Sequence, residues 1–547
     1  MSTSTLNCPS ARNSRSVHDA SVPGPWRARL AAVSDRQVIA LSASVLFVLA
    51  AWPLLLVELP PFQDLPNHVA TAHIVAHPET YSEYAFNGVI KSNGLLTLWF
   101  ILTGSHGLFA AARAFTALVL AVTAVALPLF VLHFGGRRHV GAALLFAWPL
   151  VHSFSVSMGF LNFAFAFALA LLLVVALDRQ RMAPSRAGAT SICGLALAAW
   201  FAHPFPLVVV AGLVAVHVAL QTTWRQRMHA AQTLMLPLTP AGLVTLVTVH
   251  HHLFKLPSVP TASVPFYSFL NPWNNLAHLW TDVSGAFTLL GSTTIIPALL
   301  LPCFAWRQRT KEHPFLSTTA LRVLGGAYVM LPVMLSNWWY LNCRLVPFLW
   351  AGCLLRLPPR VPRPVVAMLA SAALAFSVAT GVDYVRLDRD RAEFTAGLGV
   401  VPNGATLLPL MFKRSKTSTF TASLSHAWGY YTVLKNTSAP LVFAVERSYP
   451  ITYRKYPPPV LAYPAVERWA ESYGTAAQVC SGLDRAAGDS TCRAEWRQLW
   501  GAFWLEAEPR FAHVLTWAMP PEARSLLPAS YRRVFAEGDL EIYARGW

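Results

Sequence analysis

Charge is the scarcest property of this 547-residue chain: only 12% of its residues are Asp, Glu, Lys or Arg. Soluble domains carry about 25%, so a soluble protein is excluded. Disorder is excluded too, because 55% of the residues are hydrophobic and 12% aromatic. Acids are scarcer than bases, 25 Asp and Glu against 42 Lys and Arg, which gives a formal net charge of +17. Cysteine is sparse: the seven present form no Cys-x-x-Cys and no Cys/His spacing for structural zinc. The chain also lacks the Gly-x-x-x-x-Gly-Lys-Ser/Thr phosphate loop, the dinucleotide glycine fingerprint, Gly-x-Ser-x-Gly and His-Glu-x-x-His, which argues against an ATP-driven pump or a zinc protease.

What the chain has instead is long apolar runs. Runs of about 17 to 25 residues cross the hydrocarbon core as helices, and eleven are expected: 38–57, 108–134, 140–157, 160–177, 188–203, 204–221, 232–250, 284–305, 317–336, 343–358 and 363–384. Leu95 to Leu102 is too short to span and reads as an interfacial or re-entrant piece. The expected fold is therefore mainly α, a polytopic helical domain over 38–384 with a first outer loop at 58–107 and another at 251–283. With the N-terminus inside, 18 Lys and Arg fall in the inner segments, against Lys91, Lys255 and Arg344 in the outer loops before the last helix. That asymmetry predicts a cytoplasmic N-terminus and an outer C-terminal region. The excess positive charge then answers to an anionic inner leaflet and calls for no nucleic acid. Residues 1–37 read as a polar cytoplasmic tail ahead of an uncleaved signal anchor.

Residues 385–547 are polar enough for water and predict a small extracytoplasmic α/β domain. Strand-like runs recur at 405–410, 441–446 and 511–517, and 531–535 with 540–544 reads as a hairpin across Ala-Glu-Gly-Asp. Helices are expected at 465–473 and 491–505. Cys480 and Cys492, the one cysteine pair in this region, suit a disulfide in an oxidising compartment.

Ionisable residues at the outer ends of spans are costly and point to function. Asp64 and His68, in Gln-Asp-Leu-Pro-Asn-His, stand four apart at the start of a helix and share its face. Asp ahead of Leu-Pro is also an ordinary helix-start signal, and spacing alone favours a cap over a catalytic acid. Arg344 presents a planar fork suited to two phosphate oxygens. Lys255, after three histidines, and Arg113, inside the second span, are further candidates for the same anion; the alternative for each is a cation snorkelling to headgroups or a structural pair with Asp64 or Asp282. His73 and His77 share a helix face and leave a divalent metal open. The aromatics at 251–282 and at Trp338, Trp339 and Tyr340 suit a membrane-interface belt as well as sugar stacking. Lys413, Arg414 and Lys416 read as a solvated charge run, although with the segment from Ser425 to Tyr431 they also suit the roof of a cleft.

The long first outer loop with this Asp, about eleven helices and an outer C-terminal α/β domain resemble the family C membrane glycosyltransferases. More closely, the chain is similar to bacterial membrane proteins with an Asp-x-Pro-Asn-His start, a Gly-Phe-Leu-Asn segment (here Gly159 to Asn162) and a His before the next span (here His203). The resemblance implies transfer of a sugar from a polyprenyl-phosphate carrier to an envelope glycan, lipid or protein at the outer face of a bacterial inner membrane. On that reading Asp64 is the base, His68 its positioning partner, Arg344, Lys255 and Arg113 the phosphate contacts, and no organic cofactor is needed. The motif departs from the commoner pattern of two acidic residues, since Gln63 stands beside Asp64. A transporter or lipid flippase, or a non-catalytic assembly protein of the same fold, are the competing readings.

Overall fold

The computed structural model describes residues 34–254, 267–268, 272–308, 312–335, 338–444, 449–483 and 489–546. Lys255 and part of the loop expected at 251–283 (255–266 and 269–271) lie outside the described residues, as does the tail before residue 34.

The chain is mainly helical. Among the described residues, seven helices are long and apolar enough to cross a membrane: Asp35–Leu55, Leu108–Gly135, Arg137–Ser157, Leu161–Met182, Trp224–Thr248, Leu289–Arg307 and Arg363–Val400. Shorter apolar helices are Leu95–His106, Arg186–Ala202, Pro204–Ala219 and Cys343–Leu354. The expected spans at 188–203, 204–221 and 343–358 fall on these shorter helices, and 317–336 falls on the 13-residue Thr318–Met330. Eleven full spans are thus not what the lengths give. His203-Pro204 separates two of the shorter helices at the expected boundary, because Pro offers no amide to the preceding turn, and the imidazole Nδ1 of His203 accepts from Phe205 N at 3.2 Å to start the next helix.

The first helix begins at a capping box, Ser34 and Gln37 exchanging side-chain and backbone bonds. At the same end Arg137 pairs with Asp35, and His133 and Arg181 both meet Asp178 at 2.9 Å. Basic residues therefore gather at one end of the bundle. The opposite end carries the first loop, the turn at Gly159, His203 and Arg344.

The last long helix, Arg363–Thr395, does not stop at residue 384, where its apolar part ends. Its 33 residues make it about 50 Å long against a hydrocarbon core of about 30 Å, so it carries the chain well beyond the membrane and into the C-terminal region. There Asp390 accepts from Thr417 N and Oγ1, Lys416 donates to Glu393, and Phe394 packs on Trp517.

The C-terminal region holds a four-stranded sheet in the order Leu407–Met411, His513–Trp517, Leu540–Arg545, Tyr531–Glu537. The first pair is parallel and the others antiparallel, with the expected hairpin at the far edge. The two leading strands are buried at every residue, as a sheet covered on both faces requires. Ala465–Tyr473 and Ser490–Ala507 are the expected helices, and Cys480 and Cys492 form a disulfide. The expected strand at 441–446 is not one over its described part. Its backbone bonds go to a side chain instead: Asn67, fully buried, donates to Leu441 O at 3.1 Å and accepts from Phe443 N at 3.4 Å.

First loop and C-terminal region are one body. Tyr84–Phe86 pairs antiparallel with Ile451–Tyr453, and Tyr81 and Tyr84 sit in the same core as Trp428, Trp500 and Phe503.

Candidate functional site

Helix Leu65–Ala76 follows the first span and carries Pro66 in its first turn, where the missing N–H is no loss. Asp64 occupies the cap position, but with helical backbone (φ −89°, ψ −12°) and no side-chain cap bond. The capping expectation is therefore corrected: a capping side chain needs an extended backbone to fold back over the amides, and here Asp64 N is held by Met158 O at 3.1 Å while Gln63 N is held by Ser157 O. The carboxylate is left to point into a cavity.

That cavity lies between membrane helices and C-terminal region, and its interatomic space is about 1300 Å³ including the part open to solvent. The membrane side contributes Asp64, His68, Phe160, Asn162, His203 and Arg344; the C-terminal side contributes Arg414, His426, Phe443, Tyr463, Glu467 and Arg468. Residues from eight separate stretches of chain thus share one space.

Arg344 is 7% exposed and, among the described residues, pairs with no carboxylate. Its Nη1 lies 2.6 Å from His203 Nε2, its Nη2 donates to Trp339 O at 3.2 Å, and its face is flanked by the rings of Phe160 and Phe163 at 4.9 and 5.4 Å. Its Nε is buried with no partner. A buried cation costs free energy unless an anion accompanies it. Arg468 stands over Trp339 at 4.3 Å, and Arg414 pairs with Glu471. The charge run of the sequence is thus partly spent on structure, with Arg414 turned to the cavity.

His426 has the most constrained setting. Its Nε2 lies 3.0 Å from Glu467 Oε1, which also accepts from Ser425 Oγ at 2.7 Å. Its Nδ1 lies 3.3 Å from Asp64 Oδ1, within ion-pair reach but without hydrogen-bond alignment. Burial pushes the imidazole toward its neutral form, but the flanking carboxylates outweigh it and raise its pKa to about 9. Burial likewise opposes ionisation of Glu467, and His426 outweighs it, taking the carboxyl down to about 2. Both shifts say the same thing: an imidazolium lies between carboxylates. His68, edge-on to Phe443 at 5.9 Å, goes the other way; burial lowers its pKa, with Asp64 opposing.

Of the residues expected from sequence, Asp64, His68 and Arg344 converge on this cavity. Arg113 does not line it; its Nη1 donates to Val57 O at 3.2 Å, a structural bond that holds the end of the first span. Neither arginine pairs with Asp282, whose Oδ2 accepts from Tyr328. His73 and His77 stack at 4.3 Å, with His73 bonded to Asn436, and no group of three or more His, Cys, Asp or Glu able to hold a metal occurs among the described residues. The Gly-Phe-Leu-Asn segment is structural: Gly159 (φ +84°) backs onto the Asp64 backbone, and Asn162 bonds Leu96 N and Asn93. Gln63, in place of a second acid, accepts from Ala422 N at 2.9 Å and so ties the motif to the C-terminal region. His426 and Glu467 escape sequence reasoning because a carboxylate in the first turn of a helix reads as a dipole partner, and by sequence the segment around His426 suits only the roof of a cleft.

No family model matches the chain, and no curated protein matches its sequence. Its structure is similar to the crystal structure of ArnT from Cupriavidus metallidurans in the apo state, with a TM-score of 0.53 and 11% identity over 93% of this chain and 97% of that one. At that identity the likeness establishes the fold alone.

Proposed function

We propose that the protein is a membrane glycosyltransferase that takes its sugar from a polyprenyl-phosphate carrier. The observation that carries the reading is a single cavity at the end of the bundle away from its basic end, lined by an uncapped carboxylate, Asp64, and by a buried guanidinium without a carboxylate partner, Arg344. A lipid-linked phosphate supplies the missing anion, and its chain lies in the bilayer from which Arg344 rises. The fork of Arg344 takes phosphate oxygens. Asp64 takes the proton of an acceptor hydroxyl; that oxygen bonds to the anomeric carbon as the bond from this carbon to the phosphate oxygen breaks, and the carrier leaves as polyprenyl phosphate. Lys255 is a second candidate for the phosphate. The charge asymmetry along the chain supports a cavity at the outer face of the membrane, and the proposed setting is a bacterial inner membrane with an envelope glycan, lipid or protein as the acceptor.

Purified protein given radiolabelled polyprenyl-phosphate sugars tests the proposal. Wild type transfers label to an acceptor fraction, and Asp64→Asn, folded and expressed alike, does not. Full turnover by Asp64→Asn removes the base role.

A further inference from the structure

We infer that His426 and Glu467, both supplied by the C-terminal region, are positioning residues that hold and aim the Asp64 carboxylate for proton abstraction. The inference rests on the reading of Asp64 as the base.

The three groups form a line, carboxylate, imidazole, carboxylate. Glu467 is fixed by Ser425 Oγ at 2.7 Å and fixes His426 Nε2 at 3.0 Å, leaving Nδ1 to face Asp64 Oδ1 at 3.3 Å. The ring plane is locked by an edge-on contact with Phe443 at 5.1 Å. His426 and Glu467 are 2% and 9% exposed, so neither is a surface pair screened by solvent. A buried and a partly buried carboxylate on either side of a neutral ring would leave charge uncompensated; an imidazolium between them compensates both. One Asp64 oxygen is then engaged by His426 and the other is left for the substrate. This is the logic by which an acid behind an imidazole sets its orientation in hydrolytic triads, with the order of base and positioning group exchanged.

The other charged and titratable groups facing His426 are known. His68 stands beside it on the motif helix, Arg414 and Arg468 face Glu467, Tyr463 precedes the Glu467 helix, and Arg344 faces Asp64 from the membrane side. None of these places a third carboxylate on His426, so Asp64 and Glu467 are the groups that raise its pKa against burial.

The test uses full-length protein in detergent or nanodiscs, labelled with ¹⁵N-histidine, with His426→Gln as the assignment control. Expected for wild type is an imidazolium signature at His426 that persists above neutral pH and moves to lower pH in Glu467→Gln and in Asp64→Asn. In the transfer assay, Glu467→Gln and His426→Gln lower kcat by about 10- to 100-fold with the donor KM held within about threefold. The basic limb of the kcat profile moves to lower pH in Glu467→Gln, and Glu467→Asp recovers part of the loss; a role in folding alone moves neither. A His426 resonance indifferent to both carboxylates overturns the inference, as do unchanged kcat and pH profile in the two Gln variants. If wild type transfers no sugar from any polyprenyl phosphate, the function proposed above fails, while the histidine spectra still report whether the line of three exists.

Discussion

Gly159 lies so close beneath Asp64 that a β-carbon on it would stand 3.0 Å from the Asp64 amide nitrogen and 3.2 Å from the Asp64 β-carbon. Its φ of +84° is a conformation that side chains rarely adopt. The turn before Leu161–Met182 is thus the floor on which the candidate base rests, through Met158 O to Asp64 N.

Gly159→Ala is expected to cost about 1–3 kcal/mol from its backbone alone and to push Asp64 off its line with His426. Transfer activity falls by about tenfold or more, with a lower thermal midpoint. Gly141→Ala, in a helix with open space around it, serves as control and leaves activity unchanged. Equal activity in the two variants removes the positioning role of the turn.

Arg344 and Arg113 are both candidate phosphate contacts by sequence, but only Arg344 lines the cavity. Arg344→Lys keeps the charge but loses the fork, and kcat/KM is expected to fall by about 10- to 100-fold, or about 1.5–3 kcal/mol. Arg113→Gln gives up a bond to a backbone carbonyl and is expected to lower the thermal midpoint while leaving donor KM within about twofold. Donor titrations on both variants check this; the reverse order of effects would place the phosphate elsewhere.

His426 makes stability depend on pH with a definite sign. Its pKa is raised from 6.5 to about 9 in the folded protein, so the folded state binds the proton more tightly than the unfolded one. Its contribution is fully present below pH 6.5 and is lost as pH rises through about 9, on the order of a few kcal/mol. Thermal midpoints from pH 6 to 9.5 are expected to fall more steeply for wild type than for His426→Gln. Parallel curves would mean that the imidazole is not charged between its carboxylates.

Much of the architecture was legible because its causes are local. Hydropathy marked every long helix, and the polar composition after residue 384 marked the C-terminal region, including its terminal hairpin. Where the reading failed, a non-local partner had decided. Leu441 to Ala444 has strand composition, but the buried amide of Asn67 takes the backbone bonds a sheet would have made. Asp64 has the sequence of a helix cap, but backbone bonds from Ser157 and Met158 twist it out of the capping conformation. Gln63 looked like a missing acid and is a tether to Ala422.

The sequence by itself determined that this chain belongs in a membrane, which long segments are helical, and that Asp64, His68, Arg344, Lys255 and Arg113 are ionisable groups whose position needs a reason, since burial cost and helical period follow from residues near one another in the chain. Only the tertiary structure decided what Asp64 and Arg344 meet. The cavity is closed by segments from opposite ends of the chain, and a buried charge is compensated by whatever folding brings within a few ångströms of it, a choice that spacing along the chain does not encode.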